Sequence, residues 1–333
     1  MSLPAAEIPL GAIRFNSDTQ RLEYWVGDAW MQIQTFSSNL NGGTRGLFMG
    51  GDPGSEGKTI DYVTIPTAGN ATDFGDMSED RKYCSSFSSN TRAVVAGGEN
   101  PSGKNDEIEF VTISTTGDVT DFGNLLATRT YVSCAGNQTR GVIAGGYTDS
   151  SPYDNVIQYV TIASTGNALD FGDLTKDNSN QGGTSNPIRA IFAGGADWPT
   201  QIKTIEYVNI PTTGNAIDFG EMYSTLYNNG ATSSTRAVYS RGGLSPYKVM
   251  EYITMATGGN AVNFGEASVA IGWATGTSDT IRGIFGGGQS PATSNVIDYI
   301  QIATQGDAVD FGDLTTEFHR SGGACSNRHG GLG

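Results

Sequence analysis

The chain of 333 residues carries 34 acidic against 19 basic residues, a formal net charge of −15, and combines 47 glycines with only 16% charged residues. A field of that sign repels phosphates, so nucleic acid is not an expected partner. No run approaches the roughly 20 apolar residues of a membrane span, and residues 1–10 lack the basic start and apolar stretch of a signal peptide.

The first predicted elements lie in GAIRFNSDTQRLEYWVGDAWMQI (11–33), which reads as two or three strands broken at Asn-Ser-Asp and Val-Gly-Asp turns. Residues 1–36 are expected to be an N-terminal β segment for attachment and/or ring closure, with a second domain over 37–333. The rest of the chain is periodic. Asp-Phe-Gly, the tripeptide whose aspartate binds magnesium in protein kinases, begins at Asp73, Asp121, Asp170, Asp218 and Asp310, with Asn-Phe-Gly at Asn263, so the intervals are 48, 49, 48, 45 and 47 residues. A catalytic aspartate serves one site together with a glycine-rich loop and a strand lysine; recurrence on this rhythm excludes that role.

Each period holds four short strand-like segments. One of small residues (YCSSFSSN, YVSCAGNQ, IGWATGTS) precedes a second that ends in Gly-Gly, as in TRGVIAGG (139–146), with arginine at 45, 92, 140, 189, 236 and 282. The third bears an aromatic at Tyr62, Phe110, Tyr159, Tyr207, Tyr252 and Tyr299, and the fourth bears Asp-Phe-Gly. Four strands per period of about 47 residues predict an all-β fold, a β-propeller of four-stranded blades. Small residues suit the innermost strand, where blades converge; the aromatics suit the packing between blades.

Six units run from Ser37 to about Leu314, and SGGACSNRHGGLG (321–333) repeats the small first strand with Arg328 in phase. The preferred expectation is therefore seven blades, the last joining residues 321–333 to the N-terminal strands; the alternative is six blades plus a separate N-terminal β segment. The recurring Arg and Asp are read as a scaffold device, an ion pair or turn cap made once per blade, rather than a ring of ligands around the channel. Cys84, Cys134 and Cys325 show no metal-binding spacing and read as buried fillers. His319 and His329 make no zinc motif, the acidic stretch YTDSSPYDN (147–155) is a solvated turn rather than a calcium loop, and no cofactor or metal is expected. One loop residue, Trp198 in ADWPTQ (196–201), is singled out as a candidate binding aromatic.

The repeat YVTIxTxGNAxDFGDL and the ending ACSNRHGGLG resemble the kelch-like virion proteins of tailed bacteriophages, notably those infecting cyanobacteria, over residues 44–333. The N-terminal IRFN, LEY and tryptophan string is similar to a short β module near the start of phage tail-fibre components. The resemblance implies a non-enzymatic structural protein of the virion, of tail-fibre or baseplate type, with other virion proteins and a host-surface glycan or protein as partners and homo-oligomerisation as an expectation. It transfers no catalytic residue. A capsid decoration or knob protein, a carbohydrate-active enzyme on a propeller scaffold and a cellular interaction scaffold are the alternatives. The enzyme needs two carboxylates in unlike environments about 5–10 Å apart, and the recurring acids offer no distinctive pair.

Overall fold

In the computed structural model, which describes residues 8–16, 21–32, 44–51, 57–149, 153–197, 199–223, 229–240, 248–270, 272–288, 293–318 and 322–332, each repeat folds as an antiparallel four-stranded sheet. The chain divides into two compact units, Met1–Gly43 and Thr44–Gly333. In the first, Ile13–Asn16, Arg21–Trp25 and Trp30–Gln32 form an antiparallel sheet of their own. The turn after Trp25 is closed by the Val26 amide donating to the Ala29 carbonyl at 3.0 Å, with Gly27 at φ +109°. Trp25 and Trp30 meet across it at 5.4 Å, and Arg14 lies 4.2 Å from the Trp30 ring centre while bonding Glu23.

The second unit contains six such sheets among the described residues. Counting from the innermost strand, sheet 2 is Ser85–Ser88, Arg92–Ala96, Glu107–Thr112 and Thr120–Asn124; sheet 3 is Ser133–Gly136, Arg140–Ala144, Asp154–Thr161 and Leu169–Asn178. Sheet 4 is Gly182–Ser185, Arg189–Ala193, Thr204–Asn209 and Ile217–Glu221; sheet 5 is Asn229–Thr232, Arg236–Ser240, Val249–Thr254 and Val262–Glu266; sheet 6 is Thr275–Ser278, Arg282–Gly286, Ser294–Gln301 and Val309–Phe318. Sheet 1 differs in one respect. Its strands Arg45–Met49, Thr59–Thr64 and Thr72–Asp76 take their innermost partner from the other end of the sequence, Gly323–Ser326.

That pairing corrects the expected seventh blade. Gly323 faces Met49 and Ser326 faces Gly46, so residues 323–326 supply the small-residue strand of sheet 1 and do not pair with the N-terminal strands. In the five continuous sheets a short polar side chain caps the turn into the second strand; the Arg92, Arg140, Arg189, Arg236 and Arg282 amides donate to Ser89, Asn137, Asn186, Ser233 and Asp279. At the join the same cap is made without a turn: the Arg45 amide donates to Asn327 Oδ1 at 3.0 Å.

Among the described residues the core lies between sheets, as six apolar clusters, each shared by two neighbours; Phe122, Leu125 and Ile108 of sheet 2 pack with Val132, Ile143 and Ile162 of sheet 3, and Phe48 and Ile65 of sheet 1 with Ile284 and Phe311 of sheet 6. The innermost strands are neighbours in the order of sheets 2, 3, 4, 5, 6 and 1, and the strand of sheet 1 lies again beside that of sheet 2. The arrangement is consistent with a β-propeller.

The recurring residues make the joints. Within each sheet the third-strand aromatic stands edge-on to the Asp-Phe-Gly phenylalanine at 5.8–6.1 Å, a geometry worth about 0.5–1.5 kcal/mol beyond the area it buries. The recurring arginine covers the same aromatic at 4.4–5.0 Å. Its Nη1 then donates to a carbonyl at the end of the next sheet's third strand: Arg45 to Ile113, Arg92 to Ile162, Arg140 to Ile210, Arg189 to Met255, Arg236 to Ile302 and Arg282 to Ile65, at 2.9–3.3 Å. Arg therefore pairs with neighbouring carbonyls and not with the recurring Asp, whose side chains are exposed on the outermost strands.

The Asp-Phe-Gly glycine is explained by the next sheet. Gly123 has φ +145°, and a Cβ there would lie 2.5 Å from the Gly166 carbonyl oxygen, so no side chain fits. Around this close approach Gly166 N donates to Phe122 O, Ala168 N to Asn124 O and Asn124 N to Asn167 Oδ1. The triplet recurs at every junction, with Asn70, Asp118, Asn215, Asn260 and Asp307 as the side-chain acceptors.

Candidate functional site

The inner strands bring small side chains together around a narrow cavity of about 40 Å³, touching Cys134, Ser185, Thr232, Ser278 and Cys325 among others. One end is sealed. The strand-ending hydroxyls of Ser88, Ser185, Thr232, Ser278 and Ser326 each donate to the matching carbonyl of the preceding sheet, at 2.5–2.8 Å. Sheet 3 has Gly136 at this position and no hydroxyl to give. His329 Nε2 makes the missing bond, 3.1 Å from the Ser88 carbonyl, while its Nδ1 accepts from Gly331 N at 3.1 Å. The following 3-10 turn, Gly330–Leu332, lies against the backbone of Gly136 and Ser233, where any Cβ on Gly330 or Gly331 would collide. Burial lowers the His329 pKa to about 4, which keeps the imidazole neutral.

The other end is open and aromatic. Two residues before four of the inner strands, those of sheets 2, 3, 4 and 6, the chain enters the left-handed region at Tyr83 (φ +55°), Tyr131 (+58°), Asn180 (+58°) and Trp273 (+66°). Asparagine tolerates this conformation; bulky aromatics are outliers there, and each costs roughly 1–3 kcal/mol that the surroundings must offset. The surroundings do so by a ladder between consecutive sheets: Tyr131 N donates to Tyr83 O at 2.9 Å and Asn180 N to Tyr131 O at 3.0 Å. The Tyr83 and Tyr131 rings stack at 4.1 Å. Two residues earlier, buried anchors hold each link. Arg81 meets Glu107 and Glu109, Arg129 donates to Gly145 O and Asp154, and Asn178 Nδ2 donates to Gly194 O.

Loops between the second and third strands rise beside these links as short ribbons, Glu99–Asn100 with Gly103–Lys104, and Ala196–Asp197 with Thr200–Gln201, while Arg129–Thr130 pairs with Tyr147–Thr148. Together they wall a cup of about 640 Å³ that Tyr131, Tyr147, Tyr153 and Trp273 line with Lys104 and Asp149. Lys104 pairs with Asp149 and sits 4.5 Å from the Tyr147 ring centre; Tyr153 meets Tyr147 edge-on at 5.8 Å. The Lys104 hydrogen bond holds the Asp149 carboxyl below its usual pKa. Thr130, 1% exposed in the cup lining, has a hydroxyl without a hydrogen-bond partner.

A second set of acids lies deep between sheets. At one position of the third strand stand Asp61, Glu109, Gln158, Glu206, Glu251 and Asp298, all buried. Five of them accept a backbone amide from the preceding sheet: Asp61 from Thr315, Gln158 from Leu126, Glu206 from Thr175, Glu251 from Tyr223 and Asp298 from Ser268. Desolvation raises the pKa of Asp61, Glu206 and Asp298. Raised carboxyls mark active sites in many enzymes, but recurrence at every joint, with glutamine at one, assigns these to packing.

Trp198, the loop residue singled out by sequence, lies outside the described residues. The acidic turn at 147–155 contributes Asp149 to Lys104 and Asp154 to Arg129. Cys134 and Cys325 on inner strands, and Cys84 just before one, are free and buried, and burial pushes the Cys325 thiol up to about 12. The cup aromatics Tyr131 and Trp273 carry a sequence signal shared with Tyr83: each stands two residues before the small-residue strand, where nothing about a strand edge calls for a large ring.

Among the described residues no cluster of three or more His, Cys, Asp or Glu is placed to hold a metal ion, and no helix is long and apolar enough to cross a membrane. No protein-family model matches the sequence, and no curated protein matches it.

Proposed function

We propose that residues 44–333 form a closed six-bladed β-propeller and that the chain is a non-enzymatic virion protein of a tailed bacteriophage, of tail-fibre or baseplate type. In this reading the propeller recognises the host surface and the N-terminal unit docks on other virion proteins. The observation that carries it is the sixfold joint: arginine, a buried polar side chain of the third strand, Asx and the Asp-Phe-Gly glycine recur in the contacts between sheets, which supports reading them as scaffold. The loops that wall the cup differ from sheet to sheet, and loop variation over a constant frame suits recognition. The virion assignment is supported by the repeat and N-terminal strings described above.

Antibody raised against residues 44–333 is expected to label the tails of particles that encode this chain and to block their adsorption. Labelling confined to heads would replace the tail reading with a decoration protein. Release of reducing ends from host polysaccharide by the purified chain would overturn the non-enzymatic part.

A further inference from the structure

The cup presents two kinds of surface. Its rings, Tyr131, Tyr147 and Trp273, are half-buried and keep part of each side chain towards solvent. Beside them lie hydrogen-bonding groups, the Ser102 hydroxyl and the Asn180 amide. The charges beside them are matched, Lys104 with Asp149 and Lys82 with Glu99, so neither an anion nor an ammonium group meets an uncompensated partner. A volume of about 640 Å³ falls inside the range of about 300–1,000 Å³ usual for small-ligand sites. Two of the rings are held in a left-handed backbone, shared at the equivalent positions by Tyr83 and Asn180.

We propose that this cup is a binding site for a neutral oligosaccharide, whose apolar C–H faces stack on Tyr131 and Trp273 while its hydroxyls bond Ser102, Asn180 and the Lys104–Asp149 pair. The assignment rests on the reading of the ring as a binding module and names its ligand class. A charged glycan would have to break one of the two ion pairs to be matched. A lipid or other wholly apolar ligand would leave the polar half of the wall unpaired.

The test applies the full chain to an array of neutral and charged oligosaccharides that includes maltoheptaose, cellohexaose and a heparin octasaccharide, followed by calorimetry on the best neutral probe and on choline. Saturable binding to a neutral glycan is expected, weakened about tenfold or more in Trp273→Asn and in Tyr131→Asn, since stacked aromatic anchors dominate such sites. Both variants keep a residue suited to positive φ, so their melting temperatures should not fall, and Ile188→Ala, exposed at the opposite end of an inner-strand hairpin, should bind as the parent does. Retention of no neutral glycan, preference for heparin or choline, or unchanged affinity in both Asn variants would overturn the proposal. Cleavage of the bound probe would support the cup as a saccharide site while sinking the non-enzymatic reading, and the particle labelling above stands or falls separately.

Discussion

Substituting Gly123 by alanine tests whether the sheets are held by backbone contact across their joints. Gly123 and Gly166 have nearly the same backbone, φ +145° and +154°, so alanine at either meets a similar intrinsic strain of about 1–3 kcal/mol. Their surroundings differ: a Cβ on Gly123 meets the Gly166 carbonyl oxygen at 2.5 Å, whereas one on Gly166 has nothing within 4 Å. To relieve the first contact the next sheet must move outward, which stretches three hydrogen bonds of 2.7, 2.8 and 3.1 Å. At about 1 kcal/mol each, their loss adds roughly 3 kcal/mol to G123A over G166A. Urea denaturation followed by tryptophan fluorescence reads that difference as a shift in midpoint at constant slope, and calorimetry should show G123A melting about 6 °C below G166A. Equal stabilities, within about 0.5 kcal/mol, would refute the account of these glycines as close-approach residues.

Arg189→Ala should cost about 2 kcal/mol in the same assay, because Nη1 loses the Met255 and Ala256 carbonyls and the guanidinium leaves the Tyr207 face; Arg189→Lys should recover little of it, since an ammonium does not both stack and reach the carbonyls. His329 predicts an acid limb. Its folded pKa of about 4 lies below the ordinary 6.5, so the unfolded chain takes up the proton first and stability declines as pH falls from 6.5 to 4, by up to about 3 kcal/mol. His329→Gln, with a donor and an acceptor but no titration, should flatten that limb; an unchanged pH profile would remove His329 as its cause.

Much of the scaffold was legible because its chemistry is periodic. Small residues such as Ser133-Cys134-Ala135-Gly136 announced an inner strand, and Tyr159 with Phe171 announced interlayer packing, since each recurred often enough to separate pattern from accident. The strand count within the units followed. The partner of the recurring arginine was not legible, because carbonyls carry no sequence signature; only coordinates show Arg140 reaching Ile210. Counting units by length misled the closure: residues 1–43 form a separate unit, and the fragment at 323–326 supplies the strand sheet 1 needs. The cup escaped notice for the opposite reason, as its residues differ from unit to unit and left-handed backbone at Tyr131 is not written in the alternation of strands.

The join of Gly323–Ser326 to Arg45–Met49 also constrains how the molecule is born. Sheets 2 to 6 are contiguous in the chain, and each can assemble as it leaves the ribosome. Sheet 1 waits for a partner strand encoded some 270 residues downstream of Met49, a long-range pairing of the kind that slows folding. Until that strand emerges, the Arg45–Met49 backbone lacks its mate and offers an edge to any other extended chain. While Gly323–Ser326 is missing, sheet 1 has three strands and an open inner edge, so four small residues far downstream decide whether that edge is paired or left as a template for misassociation.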